Sequence, residues 1–156
     1  MTRIRTFDSW KSILTLLALT LIAYLPLTHA GFIWDDDHHV YANSLLHSLG
    51  GLWRMWTQRT ALPQYYPLTH TVFWIEYHLW GNNPLGYHLI NVVIHAANAV
   101  LVWRILKSLK IEAAWLAALI FALHPVNVET VAWVSERKNT LSGLFYLLSL
   151  ICYLRT

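Results

Sequence analysis

Charge is scarce in this 156-residue chain: 12% of its residues are Asp, Glu, Lys or Arg, against about 25% in an ordinary soluble domain. From Ser12 to Trp34 no formal charge occurs at all, which argues against a freely solvated first segment. Cysteine is limited to Cys152, so no disulfide can form within the chain and its compartment cannot be read from thiols; in its apolar run Cys152 reads as a small buried hydrophobe. The sequence has no CxxC, no HExxH, no GxSxG, no Walker-type glycine loop and no dinucleotide fingerprint, and the enzyme classes built on those patterns lose their usual support. Net charge is only +3, with the eleven Lys and Arg residues scattered in twos and threes, so nucleic acid is excluded as a partner class. Internal repeats and low-complexity tracts are also missing.

What the chain does contain is apolar and aromatic. Hydrophobic residues make up 56%, with nine Trp and eight Tyr, rings that favour the headgroup layer of a bilayer. A helix needs about 20 mostly apolar residues to cross a hydrocarbon core of about 30 Å. The expected fold is therefore all-α: a polytopic transmembrane helical protein with about four apolar segments and short extracytoplasmic loop helices. Residues 1–11 form a basic amino terminus and 12–34 the first span. Residues 35–84 form an extracytoplasmic loop with interfacial helices, and 85–106 the second span. Residues 107–110 make a cytoplasmic turn and 111–134 a third span broken near His124-Pro125, where proline cannot continue a helix. Residues 135–140 form a second extracytoplasmic loop and 141–156 a shortened fourth span. Arg3, Arg5 and Lys11 before the apolar run, with Thr28-His29-Ala30 after it, imitate a secretory signal; retention as an anchor is the reading adopted.

Within the long loop, Phe73, Trp74, Tyr77 and Trp80 recur at helical spacing among His70, Glu76 and His78. That pattern fits either a helix lying along the interface or one packed under a loop. Orientation follows from the basic residues. Arg3, Arg5, Lys11, Arg104, Lys107, Lys110 and Arg155 fall on one side, and Arg54, Arg59, Arg137 and Lys138 on the other. The seven-charge side is expected to be cytoplasmic, with the amino terminus. Six of the eight carboxylates, Asp35, Asp36, Asp37, Glu76, Glu129 and Glu136, then lie outside, while Asp8 and Glu112 lie within.

Three constellations could carry chemistry. FIWDDDHHV, residues 32–40, sets three aspartates at the end of an apolar run. Adjacent carboxylates repel and tend to raise a pKa, which suits a general base, but a polar stop that ends the helix in water accounts for the same pattern. HPVNVETVAWVSERKN, residues 124–139, gathers His124, Asn127, Glu129, Glu136, Arg137, Lys138 and Asn139 on the same expected side. Ionisable groups at membrane depth line cavities or pair with one another, and Arg137 and Lys138 can bind phosphate oxygens or simply anchor a helix end. Third, His88, Asn91, His95 and Asn98 stand at offsets of 3, 7 and 10, one stripe of a helix. Such a stripe should face other helices, and interhelical hydrogen bonding is favoured over substrate contact. No metal site is assigned; a divalent cation at the aspartates is left open.

The order of these motifs carries a resemblance over nearly the whole chain from residue 12 onward. WDDD, then the stretch YYPLTHTVFWIEYHLWGNNPLGYHLINVVIHAANAVLVWRIL, then AALIFALHPVNVETVAWVSERKNTLSGLFYLLSLICYL, resembles the amino-terminal membrane region of TMTC-like proteins. These are type C glycosyltransferases related to protein O-mannosyltransferases, commonly with tetratricopeptide repeats toward the carboxyl end. The resemblance implies a polyprenyl-phosphate-linked sugar, mannose being one candidate, as donor, and a hydroxyl acceptor on protein or glycan, handled at the extracytoplasmic face of the bilayer. It places the base at Asp35 with Asp36 as neighbour, and leaves open which of Asp35, Asp36 and Asp37 acts. His124, Glu129, Arg137 and Lys138 are the expected substrate-binding residues, with His124, Arg137 or Lys138 steadying the departing phosphate. Further spans and repeats usual in that class are absent, so the chain is expected to be a fragment, a truncated product or one piece of a split enzyme, incomplete alone. The rival reading is a non-catalytic membrane anchor or assembly subunit, with a transporter third.

Overall fold

A computed structural model of the chain describes residues 9–62 and 64–155; Arg3, Arg5 and Asp8 of the basic amino terminus lie outside the described residues. The architecture is all-helical, and no strand occurs among the described residues. Among the described residues seven α-helices follow in order: α1 Ser9–Ala23, α2 Leu49–Thr57, α3 Pro67–Trp80, α4 Pro84–Ser108, α5 Ala114–Leu123, α6 Val128–Ala132 and α7 Arg137–Tyr153.

The longest helix, α4, is set up by its start. Asn83 accepts a hydrogen bond from Leu85 N at 3.1 Å and Pro84 occupies the first turn, a strong entry signal. It runs 25 residues, about 37 Å at 1.5 Å per residue, and is the one described helix that alone is long and apolar enough to cross a membrane. α5 and the segment Pro125–Ala132 pass that test together but meet at a bend of 48°. α1 is a shorter apolar helix, and the run that follows it turns through a 3-10 segment at Leu25–His29.

α4 is the central post, packed by α1, α5 and α7. At its carboxyl half Leu16 of α1 meets Ala99, Trp103, Ala114, Ala118 and Ala122; alanines along α5 let the backbones approach closely. Trp115 Nε1 donates to Ser12 O at 3.1 Å, fastening α5 to α1. A second core, Val40, Leu45, Leu46, Met55, Phe73, Tyr87 and Val134, lies at the amino end of α4 and binds the long loop into a cap. The closing turn of α3 depends on Gly81, whose φ of +57° suits a residue without Cβ. Cys152, expected to be buried, is instead exposed, because the buried residues of α7, Arg137, Thr140 and Leu141, all lie in its first turns, far from the end that carries Cys152.

Candidate functional site

The acidic turn is held in a strained approach. Trp34 has φ of +48°, a left-handed conformation that costs a bulky residue about 1–3 kcal/mol, and its ring meets Trp133 edge-on at 5.0 Å. The turn that follows separates the three aspartates. Asp36 is wholly buried; its Oδ2 accepts Ile33 N at 3.1 Å and its Oδ1 accepts Ser135 N at 2.7 Å. Two backbone N–H groups on one carboxylate are charge-assisted hydrogen bonds, the kind that make burial of an anion tolerable. Asp35 and Asp37 stay exposed. The Asp36–Ser135 bond, between residues 99 apart in sequence, brings the acidic turn against the start of α7, and Asp35 and Lys138 both act electrostatically on the His39 ring.

Arg137 points inward, with no exposed surface. Its Nη1 donates to Glu76 at 2.5 Å, its Nη2 to Tyr87 O at 2.6 Å and its Nε to Asn91 Oδ1 at 2.8 Å, while its guanidinium sits 5.3 Å from the Phe73 ring centre. Asn91 is saturated: its amide donates to Val131 O and Trp133 O, both at 3.1 Å, and its oxygen also accepts Thr140 Oγ1 at 3.0 Å. Burial pushes the Glu76 carboxyl up to about 7 while Arg137 pulls it down, and the second Glu76 oxygen is buried without a partner. The hub thereby joins α3, α4 and α7. The other members of the α4 stripe do similar work: His88 contacts Gly31 O at 3.3 Å, His95 contacts Ala122 O at 3.0 Å, and Asn98 donates to Thr140 O at 2.9 Å. Asn91, His95 and Asn98 bind backbone carbonyls of other helices, the interhelical role expected of them, while His88 reaches the loop at Gly31.

Lys138 faces the other way. It pairs with Glu136 at 2.6 Å, stands 5.9 Å from the Tyr66 ring centre, and lines a groove of about 330 Å³ with Trp56, Tyr65, Tyr66, Leu141 and Phe145. The aromatic wall is fixed: Trp56 Nε1 donates to Thr71 Oγ1 at 3.0 Å and Tyr65 OH to Trp56 O at 2.8 Å. The groove thus combines one cation, paired with Glu136, with apolar side chains of α7 and an aromatic wall. His39, in the turn that continues from the aspartates, and His70, on α3, are buried imidazoles with His39 Nδ1 and His70 Nε2 3.2 Å apart. Burial holds His70 down at about 4. Burial and Lys138 also lower His39, against the opposing carboxylates of Asp35 and Asp36.

His124 and Glu129 are exposed. His124 Nδ1 accepts Val126 N at 3.2 Å and so caps the short turn after α5. Among the described residues no hydrogen bond, ion pair or ring contact ties either of them to the cluster around Asp35 and Lys138. Nor does any group of three or more His, Cys, Asp or Glu suited to a metal ion occur among the described residues. Sequence reasoning missed the pairing of Glu76 with Arg137 and of His39 with His70. The available signal for the first was a lone carboxylate in an aromatic-rich helix, which needs a counter-charge once buried.

No protein-family model matches the chain, and no solved structure matches it. Curated proteins do. The chain is 34% identical over 149 residues to protein O-mannosyl-transferase tmtc2 of Xenopus laevis, an alignment covering 88% of the chain and 18% of that protein. It is 35% identical to TMTC2 of Mus musculus over the same shares of each, and 32% identical over 161 residues to TMTC4 of Homo sapiens, covering 87% of the chain and 22% of the relative. The chain thus spans about a fifth of the length of the curated relatives it matches. With this similarity running through the acidic turn, α4 and the start of α7, the chain is TMTC-like.

Proposed function

We propose that this chain is the membrane-embedded part of a glycosyltransferase that moves a sugar, mannose being the first to test, from a polyprenyl-phosphate donor to a hydroxyl on protein or glycan. The observation that carries this reading is the juxtaposition of an exposed carboxylate, Asp35, with a cation-ended apolar groove at Lys138, clamped together by the Asp36–Ser135 hydrogen bond. The names of the relatives support the reaction class. Four apolar segments crossing the bilayer, with the amino terminus cytoplasmic and the acidic turn outside, put both groups where a lipid-borne sugar meets its acceptor.

The chemistry is an inverting displacement. The acceptor hydroxyl gives its proton to Asp35 as its oxygen attacks the anomeric carbon from the face opposite the lipid phosphate. Lys138 holds the phosphate, whose negative charge grows as the glycosidic bond breaks; the stabilisation is greatest in the transition state. Asp36 is assigned to positioning, because both of its oxygens are engaged by backbone N–H groups. Arg137 belongs to the scaffold under the groove, since its donors are taken by Glu76, Asn91 and Tyr87. His124 and Glu129 are left for the acceptor's approach.

The test is transfer of labelled mannose from polyprenyl-phosphate mannose to a Ser/Thr peptide by membranes bearing the chain. Asp35→Asn is expected to abolish transfer with membrane insertion unchanged. Transfer retained by that variant removes Asp35 from the reaction; because the chain spans about a fifth of its relatives, the reaction itself is tested in a full-length relative carrying this segment, where absence of transfer removes it.

A further inference from the structure

Two arginines at the other end of α4 and α7 are treated unlike Arg137. Arg104, near the end of α4, and Arg155, just past α7, line one cavity of about 130 Å³ with Ser108, Ile151 and Leu154. Both are exposed, and among the described residues neither guanidinium has a hydrogen bond, an ion pair or a ring contact. Helix capping does not account for them. The carbonyls of Ile105, Leu106 and Lys107 at the end of α4, and of Leu150 and Cys152 at the end of α7, already accept backbone N–H groups, and Ser108 Oγ donates to Ile105 O at 2.7 Å. The two helices run side by side in the same sense, from the Asn91–Arg137 bond to this cavity, so their dipoles add. Each contributes roughly half a negative charge, and two guanidiniums leave a surplus of about one positive charge. Lys107, over the Trp103 ring at 5.1 Å, and Lys110 enlarge that surplus, while Glu112, the carboxylate nearest in sequence to Arg104, pairs with neither arginine among the described residues.

We propose that this cavity binds the phosphate of an anionic phospholipid of the cytoplasmic leaflet, with Arg104 and Arg155 on the phosphate oxygens and Ile151 and Leu154 against the first methylenes of its chains. A guanidinium presents a planar fork of donors that matches phosphate, and charge-assisted hydrogen bonds are about twice as strong as neutral ones. The apolar half of the cavity selects a lipid over a free anion. Leu148, one turn before Ile151 on α7, is exposed and extends that wall along the helix. Cytoplasmic leaflets carry a negative surface potential, and basic pockets between helices on that side take lipid headgroups. The choice of leaflet rests on α4 ending in the cytoplasm; the site itself is independent of sugar transfer, and loss of that reaction leaves it standing.

The experiment titrates the full chain, purified in a neutral detergent, with phosphatidylglycerol and with phosphatidylcholine, and reads the lipid-bound forms by native mass spectrometry. One phosphatidylglycerol should bind ahead of any phosphatidylcholine. The double variant Arg104→Gln/Arg155→Gln should weaken that first phosphatidylglycerol by about thirtyfold, the combined effect of two basic side chains at a lipid surface. Lys107→Gln/Lys110→Gln removes the same charge from outside the cavity and should cost about threefold at most, because these lysines act through screening solvent. All four side chains are exposed, so both double variants should keep the helical circular dichroism of the unsubstituted chain. Inorganic phosphate in excess should leave the bound phosphatidylglycerol in place. Equal affinity for the two lipids, or equal losses in the two double variants, overturns the site, since either result leaves only a diffusely basic end. Displacement of phosphatidylglycerol by inorganic phosphate overturns the lipid as its occupant.

Discussion

A guanidinium with no exposed surface is tolerated only because every direction around Arg137 offers an acceptor or a ring. Removing one partner leaves the other charge buried and unpaired, which costs about 3–5 kcal/mol. Glu76→Ala should lose that much in unfolding followed by Trp fluorescence in detergent; a loss under about 1 kcal/mol means the pair is solvated, as for surface ion pairs. The buried imidazole of His70 gives a pH signature of opposite kind. Its folded value, about 4, lies below the unfolded value of about 6.5. As pH falls from 6.5 toward 4 the unfolded chain takes up a proton that the folded chain refuses, so stability declines through this window and levels off beneath it. His70→Phe should flatten that decline in unfolding curves at pH 7, 6, 5 and 4.5, and an unaltered slope assigns the decline to other groups. Neither residue announces itself in sequence. Arg137 stands between Glu136 and Lys138 in a run that reads as solvated, and which member turns inward is decided by the hole that Asn91 and Glu76 leave for it. The aspartate triplet has the same ambiguity, resolved only by where Ser135 N lies.

Elements were more legible than their partners. The apolar run 85–106 falls inside α4, and the aromatic spacing around Phe73 falls inside α3, because helix period and entry signals are local. The Asp37–Tyr41 and Ser44–His47 turns carry no such period; they are shaped by burying Val40, Leu45 and Leu46 under α2 and α3. Two neighbouring glycines separate these influences. A Cβ on Gly51 would overlap the carbonyl oxygen of Leu45, a backbone atom that cannot swing aside, whereas Gly50 has only Ser48 Oγ nearby, at 3.9 Å. Gly50→Ala should be neutral or stabilising by about 0.5–1 kcal/mol through helix propensity. Gly51→Ala should destabilise by about 2 kcal/mol or more, as overpacking does, and should pry α2 from the preceding turn. Melting temperatures of the two variants decide this, and equal values mean that the contact yields without cost.

At the scale of the whole molecule, the acidic turn and the start of α7 belong to different apolar segments, separated in sequence by all of α4 and α5. α4, at about 37 Å by its rise per residue, exceeds a hydrocarbon core of about 30 Å, so its two ends fall on opposite sides if it crosses. Asp36 and Ser135 are joined at 2.7 Å, so the chain must return through α5 and α6 to the side from which α4 began. Composition could suggest that return, but the 48° bend after Leu123 leaves a broken span and a re-entrant segment equally readable. Single cysteines in a Cys152→Ser background distinguish them. Asp37→Cys and Asn139→Cys, both at exposed positions, should react with a membrane-impermeant maleimide on intact cells. Ser108→Cys, at the far end of α4, should react only after permeabilisation. Labelling of Ser108→Cys on intact cells would mean that α4 does not cross, leaving its buried polar stripe as the core of a cap lying on the bilayer. Labelling of Asp37→Cys and Asn139→Cys from opposite sides would break the Asp36–Ser135 contact itself, and with it the hydrogen bond that holds the acidic turn against the start of α7.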